Sequence, residues 1–168
     1  MHVWGNDSKR YPFPHPYIEN YAGPEHEGTV EMLLEDMDAH GCTHAVLVQV
    51  IFHGWDNTYI ADAARRYPKR LKSHGLIDPT DPKVADKLEY WVREQGLAGM
   101  RFSPIYYLNG AHGGDGWLDA DETHTVWKKA AALDAIFNYF IAGAITSIGA
   151  DGSLASGTYG SSSIISVT

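Results

Sequence analysis

Several polar residues follow apolar runs of this sequence, at positions where short parallel strands would end. His2 precedes Val-Trp at the start of the chain, and Gln49 lies near the end of the run that begins at residue 45. Asp78, Arg101 and Ser103 close two later runs. Parallel α/β enzymes assemble their sites at the carboxyl ends of the strands, so these residues are the first candidates for chemistry.

Arg101 is the candidate with the clearest chemistry. The planar guanidinium offers a fixed fork of donors that suits a substrate carboxylate. A structural salt bridge to a neighbouring strand or loop is an equal alternative. Gln49 could donate to a substrate oxygen or tie down a loop, and Asp78, which precedes Pro79, favours the start of a helix over catalysis.

The nine histidines give no metal site by spacing alone. His53 and His74 lie near predicted strands and could reach a pocket. No two histidines within one predicted helix or strand show the i, i+2 or i, i+4 spacing by which a single element ligates a metal.

The elements that would position these residues alternate between helix and strand. The predicted helices have apolar faces at Val30, Leu33, Leu34 and Met37; at Tyr59, Ile60, Ala63 and Ala64; at Val84, Leu88, Trp91 and Val92; and at Val126, Trp127 and Ala130. The predicted strands are 45–51, 71–77, 97–102 and 135–141, the first of them apolar throughout, as in a strand covered on both faces. Gly41 predicts a helix end, and Asp81-Pro82 and the Asp119-x-x-Glu122 capping box predict helix starts.

This alternation predicts a parallel α/β fold, either a doubly wound sheet or a barrel. No Gly-x-Gly-x-x-Gly or Walker sequence follows a predicted strand, so neither a dinucleotide site nor a P-loop is expected.

Composition narrows the class of protein further. The chain has 168 residues, of which 44% are hydrophobic and 20% charged, as in a soluble globular domain. Its formal charge of −8 argues against nucleic acid as a partner, and no apolar run is long enough to cross a membrane. The single cysteine, Cys42, and the polar first residues predict a cytoplasmic protein.

A succession of short motifs resembles the amidohydrolase-related (amidohydrolase 2) family of TIM-barrel enzymes. The motifs are His2-Val-Trp4, Tyr11-Pro-Phe13-Pro14 with Tyr17, Ala45-Val-Leu-Val-Gln49, Gly54-Trp-Asp-Asn57, Ile77-Asp-Pro79 and Gly99-Met-Arg-Phe102. The family includes lactonases of the pyrone-dicarboxylate type and metal-dependent decarboxylases. Its members usually begin with a strand that reads Asp-x-His-x-His, and His2 matches the second of these histidines. Only Met1 precedes His2, so we expect the chain to start inside the family's first strand, which comes before the strand predicted at 45–51.

The resemblance implies the site and its cofactor. His2 is the expected catalytic residue and metal ligand, and the expected substrate-binding residues are Arg101, Gln49, Ser103 and Tyr11. The implied cofactor is a divalent metal, zinc in the first place; the alternative is that this chain holds none, because it keeps only one of the family's ligands. The partner is a small molecule.

Three functions remain open at this stage. The first is hydrolysis of a small carboxylated or lactone substrate. The second is metal-dependent decarboxylation, and the third is a non-catalytic fragment, with this chain inactive when alone.

The domain organisation follows from the same resemblance. Residues 1–141 are expected to form the N-terminal half of a (β/α)8 barrel, which takes ~250 residues when complete. Residues 142–168, rich in Gly, Ser, Ala and Thr, are expected to be a low-complexity tail foreign to the fold and without a stable helix. The open edges of a half barrel would promote self-association.

Overall fold

Helices and parallel strands alternate up to Ile141 in the described part of the chain, as the apolar pattern predicts. A computed structural model describes residues 1–102, 121–141, 147–148, 154–155 and 163–167. The chain divides into two compact units, Met1–Leu76 with Gln95–Ala98 and Ile77–Glu94 with Gly99–Thr168.

The first unit contains two helices and a parallel pair of strands. Its elements in chain order are α1 (Val30–Ala39), β1 (Ala45–Val48), a 3₁₀ turn (Ile51–His53), α2 (Thr58–Arg66) and β2 (Leu71–Leu76). Residues of β1 and β2 pair in parallel from Ala45 opposite Leu71 to Val48 opposite His74.

Helix α1 shows how closely the sequence determines a local element. Thr29 adopts an extended conformation, and its side chain accepts a hydrogen bond from the Met32 amide, which satisfies one free donor of the first turn. The predicted apolar face is buried, and Gly41 takes a φ of 68°, the left-handed conformation predicted for it. The helix and its end are therefore confirmed.

The second unit contains the remaining helices and a second parallel pair. Its elements are α3 (Val84–Glu89), which continues as a π turn (Tyr90–Glu94), β3 (Gly99–Phe102), α4 (Asp121–Leu133), β4 (Ile136–Ile141), β5 (Ser147–Ile148), β6 (Leu154–Ala155) and β7 (Ser163–Val167). Strands β3 and β4 are parallel, β7 is antiparallel to β4, and β5 and β6 form a short antiparallel pair.

Aromatic side chains form the core between α4 and its strands. The Phe102 ring lies 5.3 Å from that of Trp127 and 4.9 Å from that of Phe137, both edge to face. Such pairs add about 0.5–1.5 kcal/mol each beyond the area they bury. Helix α4 therefore covers the face of β3 and β4 that carries Phe102 and Phe137.

Strand β1 is shorter and less buried than predicted. It ends at Val48 instead of residue 51, because the apolar Ile51 is buried in a 3₁₀ turn rather than in the sheet. The Val46 side chain is 43% exposed, so the prediction that this strand is covered on both faces is wrong.

Helix faces differ from the predictions in smaller ways. Ala64, Trp91, Val92 and Trp127 are half-buried rather than buried. The α-helical part of the third helix ends at Glu89, and the π turn that follows shifts Trp91 and Val92 off the helical spacing from which their burial was predicted. The capping-box residue Asp119 lies outside the described residues.

The predicted fold class, parallel β/α units corresponding to part of a TIM barrel, is confirmed. Within residues 142–168 the described residues lie in strands, with no helix among them. The boundary at residue 141 and the foreign origin of the tail remain predictions. No helix in the described part of the chain has the length and apolar character to cross a membrane.

Candidate functional site

The first two residues continue the parallel sheet beside β1. The Met1 ammonium donates to the Val46 carbonyl at 2.7 Å, and the Val48 amide donates to the Met1 carbonyl at 2.8 Å. This pattern places Met1 opposite Leu47, as in a parallel ladder, and puts His2 beside Val48.

His2 is held by a hydrogen bond that determines its tautomer. Its Nδ1 lies 2.8 Å from the Val48 carbonyl oxygen, which can only accept, so Nδ1 carries the proton. The neutral ring then has its lone pair at Nε2. Metal-ligating histidines are commonly oriented by such a bond from the other ring nitrogen to a backbone carbonyl.

The two faces of the first sheet differ in what they contact. The Gln49 amide reaches the Asp56 carbonyl, and a side chain at Gly75 would touch Asn57 at the start of α2, so this face packs against the helix layer. Side chains alternate along a strand, so Val48 and His74 lie on the opposite face. The side chain of His2, which lies beside Val48, is on this face as well. Burial and the nearby N-terminal charge lower the pKa of His74.

The side chain of Gln49 ties down the loop after β1, which was one of the two roles considered for it. Its side chain is fully buried, and Nε2 donates to the Asp56 carbonyl. Oε1 has no hydrogen-bond partner among the described residues. A role in substrate binding stays a prediction for this residue.

Asn57 fastens the same loop to β2, a role that sequence reasoning missed. The Leu76 amide donates to its Oδ1 at 2.7 Å, and its Nδ2 donates to the Leu76 carbonyl at 2.9 Å. The side chain thereby replaces a neighbouring strand at the end of β2. The only signal was its place in the Gly54-Trp-Asp-Asn57 motif.

His53 is a buried core residue, and both of its ring nitrogens contact backbone groups of the protein. Nδ1 donates to the Pro12 carbonyl at 2.8 Å, and Nε2 accepts the Gly5 amide at 3.5 Å. The ring stacks on Phe13 with centroids 4.7 Å apart. Burial lowers the pKa of His53, which favours the neutral ring.

Tyr11 lies against α2. Its hydroxyl donates to Asp62 Oδ2 at 2.9 Å, and its ring meets Tyr59 edge to face at 4.9 Å. Burial and then the Asp62 hydrogen bond raise the pKa of Tyr11 to about 12. Its predicted role in substrate binding is untested by this geometry.

Arg101 lies in the second unit, on the face of β3 opposite α4. Phe102 faces Trp127 of α4, so its neighbour Arg101 points to the other side of the strand, where it is paired in register with Asn138. Arg101 is 7% exposed and Asn138 is 9% exposed. Ser103, the next candidate, lies outside the described residues.

Asp78 makes a local turn. Its Oδ1 accepts the amide and the hydroxyl of Thr80, at 2.9 and 2.7 Å. Helix α3 begins only at Val84, with Lys83 as its N-cap, so the prediction that Asp78 starts a helix is wrong.

A complete metal site is not present among the described residues. They contain no group of three or more His, Cys, Asp or Glu side chains placed to hold an ion. A catalytic zinc needs about three protein ligands and an open position. His2 has a suitable tautomer, but the described donor set does not fit a catalytic metal.

Comparison with known proteins identifies the family. Residues 1–159 match the amidohydrolase family Amidohydro_2, and the chain belongs to this family. A search of curated proteins found no match.

Solved structures of similar fold include a hydrolase and a decarboxylase. A probable 2-pyrone-4,6-dicarboxylic acid hydrolase from Acinetobacter baumannii, with citric acid bound, is 24% identical with a TM-score of 0.62 over 83% of this chain and 46% of its own. A 2,6-dihydroxybenzoate decarboxylase from Rhizobium is 19% identical with a TM-score of 0.53 over 66% of this chain and 39% of its own. The chain thus spans less than half of either structure, and likeness at these identities establishes the fold.

Proposed function

We propose that the chain supplies part of the catalytic framework of a hydrolase for small carboxylated or lactone substrates, and that it is inactive alone. Membership of the amidohydrolase family supports the class of reaction. The observation that carries the substrate class is Arg101, which is 7% exposed and lies on the face of β3 opposite the one that contacts Trp127 of α4. The planar guanidinium can present two N–H groups to one carboxylate of a substrate.

The reaction can be written from general chemistry. In lactone hydrolysis the oxygen of water bonds to the carbonyl carbon, the ring C–O bond breaks, and a proton passes to the leaving oxygen. In this proposal Arg101 holds a carboxylate of the substrate. Nδ1–H of His2 donates to the Val48 carbonyl, so Nε2 of the neutral ring can only accept. This favours a role for His2 in accepting a proton or ligating a metal, rather than in polarising a substrate carbonyl.

The cofactor of the family is a divalent metal, with zinc as our first choice. Since the described residues do not form its full ligand set, no step is derived through it. Decarboxylation is the alternative, supported by the fold shared with the Rhizobium decarboxylase.

Ligand binding tests the role of Arg101. The chain is titrated with 2-pyrone-4,6-dicarboxylate and, in parallel, with 2,6-dihydroxybenzoate. We expect Arg101→Lys to weaken binding of the lactone about tenfold or more, because an ammonium cannot make the paired contacts of a guanidinium. Arg70→Lys is the matched control, since Arg70 pairs with Asp38 in the first unit.

Equal binding by wild type and Arg101→Lys would assign Arg101 to a structural salt bridge. Tighter binding of the dihydroxybenzoate than of the lactone would favour the decarboxylase alternative.

A further inference from the structure

A cleft of about 620 Å³ lies on the first unit. Residues from the segment after His2, from the start of α1 and from α2 line it. Those with ionisable side chains that the argument uses are Arg10, Tyr11, Glu31, Asp62, Arg65 and Arg66.

Carboxylates hold the three arginines in place around this cleft. Arg10 Nη2 and Arg65 Nη1 contact the two oxygens of Asp62 at 3.0 and 2.7 Å. The Tyr11 hydroxyl donates to the same carboxylate, and Arg66 Nη1 contacts Glu31 Oε1 at 2.7 Å. The guanidinium groups are therefore oriented before any ligand arrives.

The arginines are more exposed than the carboxylate they share. The Asp62 side chain is 18% exposed, whereas those of Arg10 and Arg65 are 66% and 56% exposed. Their hydrogen bonds to Asp62 and Gln95 use only part of their N–H groups. The remaining donors are available to an incoming oxyanion.

The energetics allow an anion to compete for these donors. Exposed ion pairs contribute only about 0–1 kcal/mol, so partial displacement costs little. Asp7 also lines the cleft, but its Oδ1 accepts the backbone amides of Lys9 and Arg10. The lining as a whole balances in charge, with three arginines and three carboxylates, so an anion would be held by the guanidinium N–H groups that the ion pairs leave unused.

We propose that this cleft binds a small polyanion that carries phosphate or carboxylate groups. Guanidinium forks match both kinds of group in geometry. The chain's charge of −8 disfavours a long polyanion such as nucleic acid, whereas a small anion needs only a few guanidinium donors. The proposal does not depend on the hydrolase function, although the cleft includes Tyr11, one of the expected substrate-binding residues.

Calorimetric titration with inorganic phosphate and with succinate at low ionic strength tests the proposal. Arg10→Gln and Arg66→Gln should each weaken binding about tenfold. Asp62→Asn should tighten binding, because it removes the competing negative charge and frees two guanidiniums. The matched control is Arg93→Gln, since Arg93 lies in the second unit, is 63% exposed and pairs with Glu89.

The outcomes separate the two ligand chemistries. Saturable binding of phosphate alone or of succinate alone, with these variant effects, supports the site and names its ligand. Binding of neither, equal loss in Arg93→Gln, or weaker binding by Asp62→Asn would overturn it. Far-UV circular dichroism checks that each variant folds.

Discussion

At the scale of single residues, buried polar side chains hold the loop after β1 in place. Gln49 and Asn57 both carry amides, are both fully buried, and both contact backbone groups of other segments. The sequence identified Gln49 by its place after an apolar run. It could not show which way the side chain points, because the strand ends one residue earlier and the alternation of faces depends on that register.

Asn57→Ala tests the importance of the amide at the end of β2. The change leaves the buried amide and carbonyl of Leu76 without their partner, so the free energy of unfolding should fall by about 2–4 kcal/mol. Urea denaturation measures it. Asn6→Ala, at an exposed position, should change stability by less than about 0.5 kcal/mol. A similar small effect at both sites would contradict this role for Asn57.

His53 should make stability depend on pH. Burial lowers the pKa of His53 in the folded protein, so below the ordinary histidine pKa the unfolded chain binds the proton more readily. Its stabilising contribution is complete above that pKa and declines as the pH falls towards the folded value.

Unfolding at a series of pH values from 7 to 5 compares wild type with His53→Gln. The free energy of unfolding of the variant should depend less steeply on pH than that of wild type. Some pH dependence should remain, because burial also lowers the pKa of His15 and His74. Identical slopes would show that His53 does not contribute.

At the scale of elements, periodicity predicted the helices better than the strands. The helix α1 was predictable because its apolar spacing, N-cap and terminal glycine all agree. The end of β1 was not, because the apolar residues of a 3₁₀ turn and those of a strand look alike in sequence. Asn57 was missed as a partner of Leu76 because nothing in the sequence relates two positions 19 residues apart.

Gly99 should be essential to the pairing of β3 and β4. A Cβ at this position would lie 1.8 Å from the Ile136 carbonyl oxygen, a backbone atom that cannot move without separating the strands. Gly99→Ala should therefore cost at least about 3 kcal/mol or prevent folding.

Gly41→Ala is the control for this prediction. Gly41 has a φ of 68°, but a Cβ added there would meet no atom within 4 Å, so only backbone strain of about 1–2 kcal/mol is expected. Thermal unfolding compares the two. A Gly99 variant no less stable than the Gly41 variant would contradict the pairing.

At the scale of the whole molecule, the family was predictable because six short motifs follow one another in order. The candidate site was predictable only in part. Parallel strands indicated that His2 and Arg101 lie at strand ends, but only the structure shows His2 beside Val48 and Arg101 on the face of β3 opposite Trp127. Tyr11 and His53 could not be assigned from sequence, since their partners Asp62 and Pro12 lie on segments 51 and 41 residues away.

The central claim is that this chain carries part of an amidohydrolase framework and that its described residues do not complete a metal site. The most direct test measures bound zinc and manganese after equilibration and gel filtration, together with lactone hydrolysis, for wild type and His2→Ala. The account predicts well under one metal per chain and no turnover in either protein. One tightly bound metal per wild-type chain, lost in His2→Ala and accompanied by turnover, would contradict it.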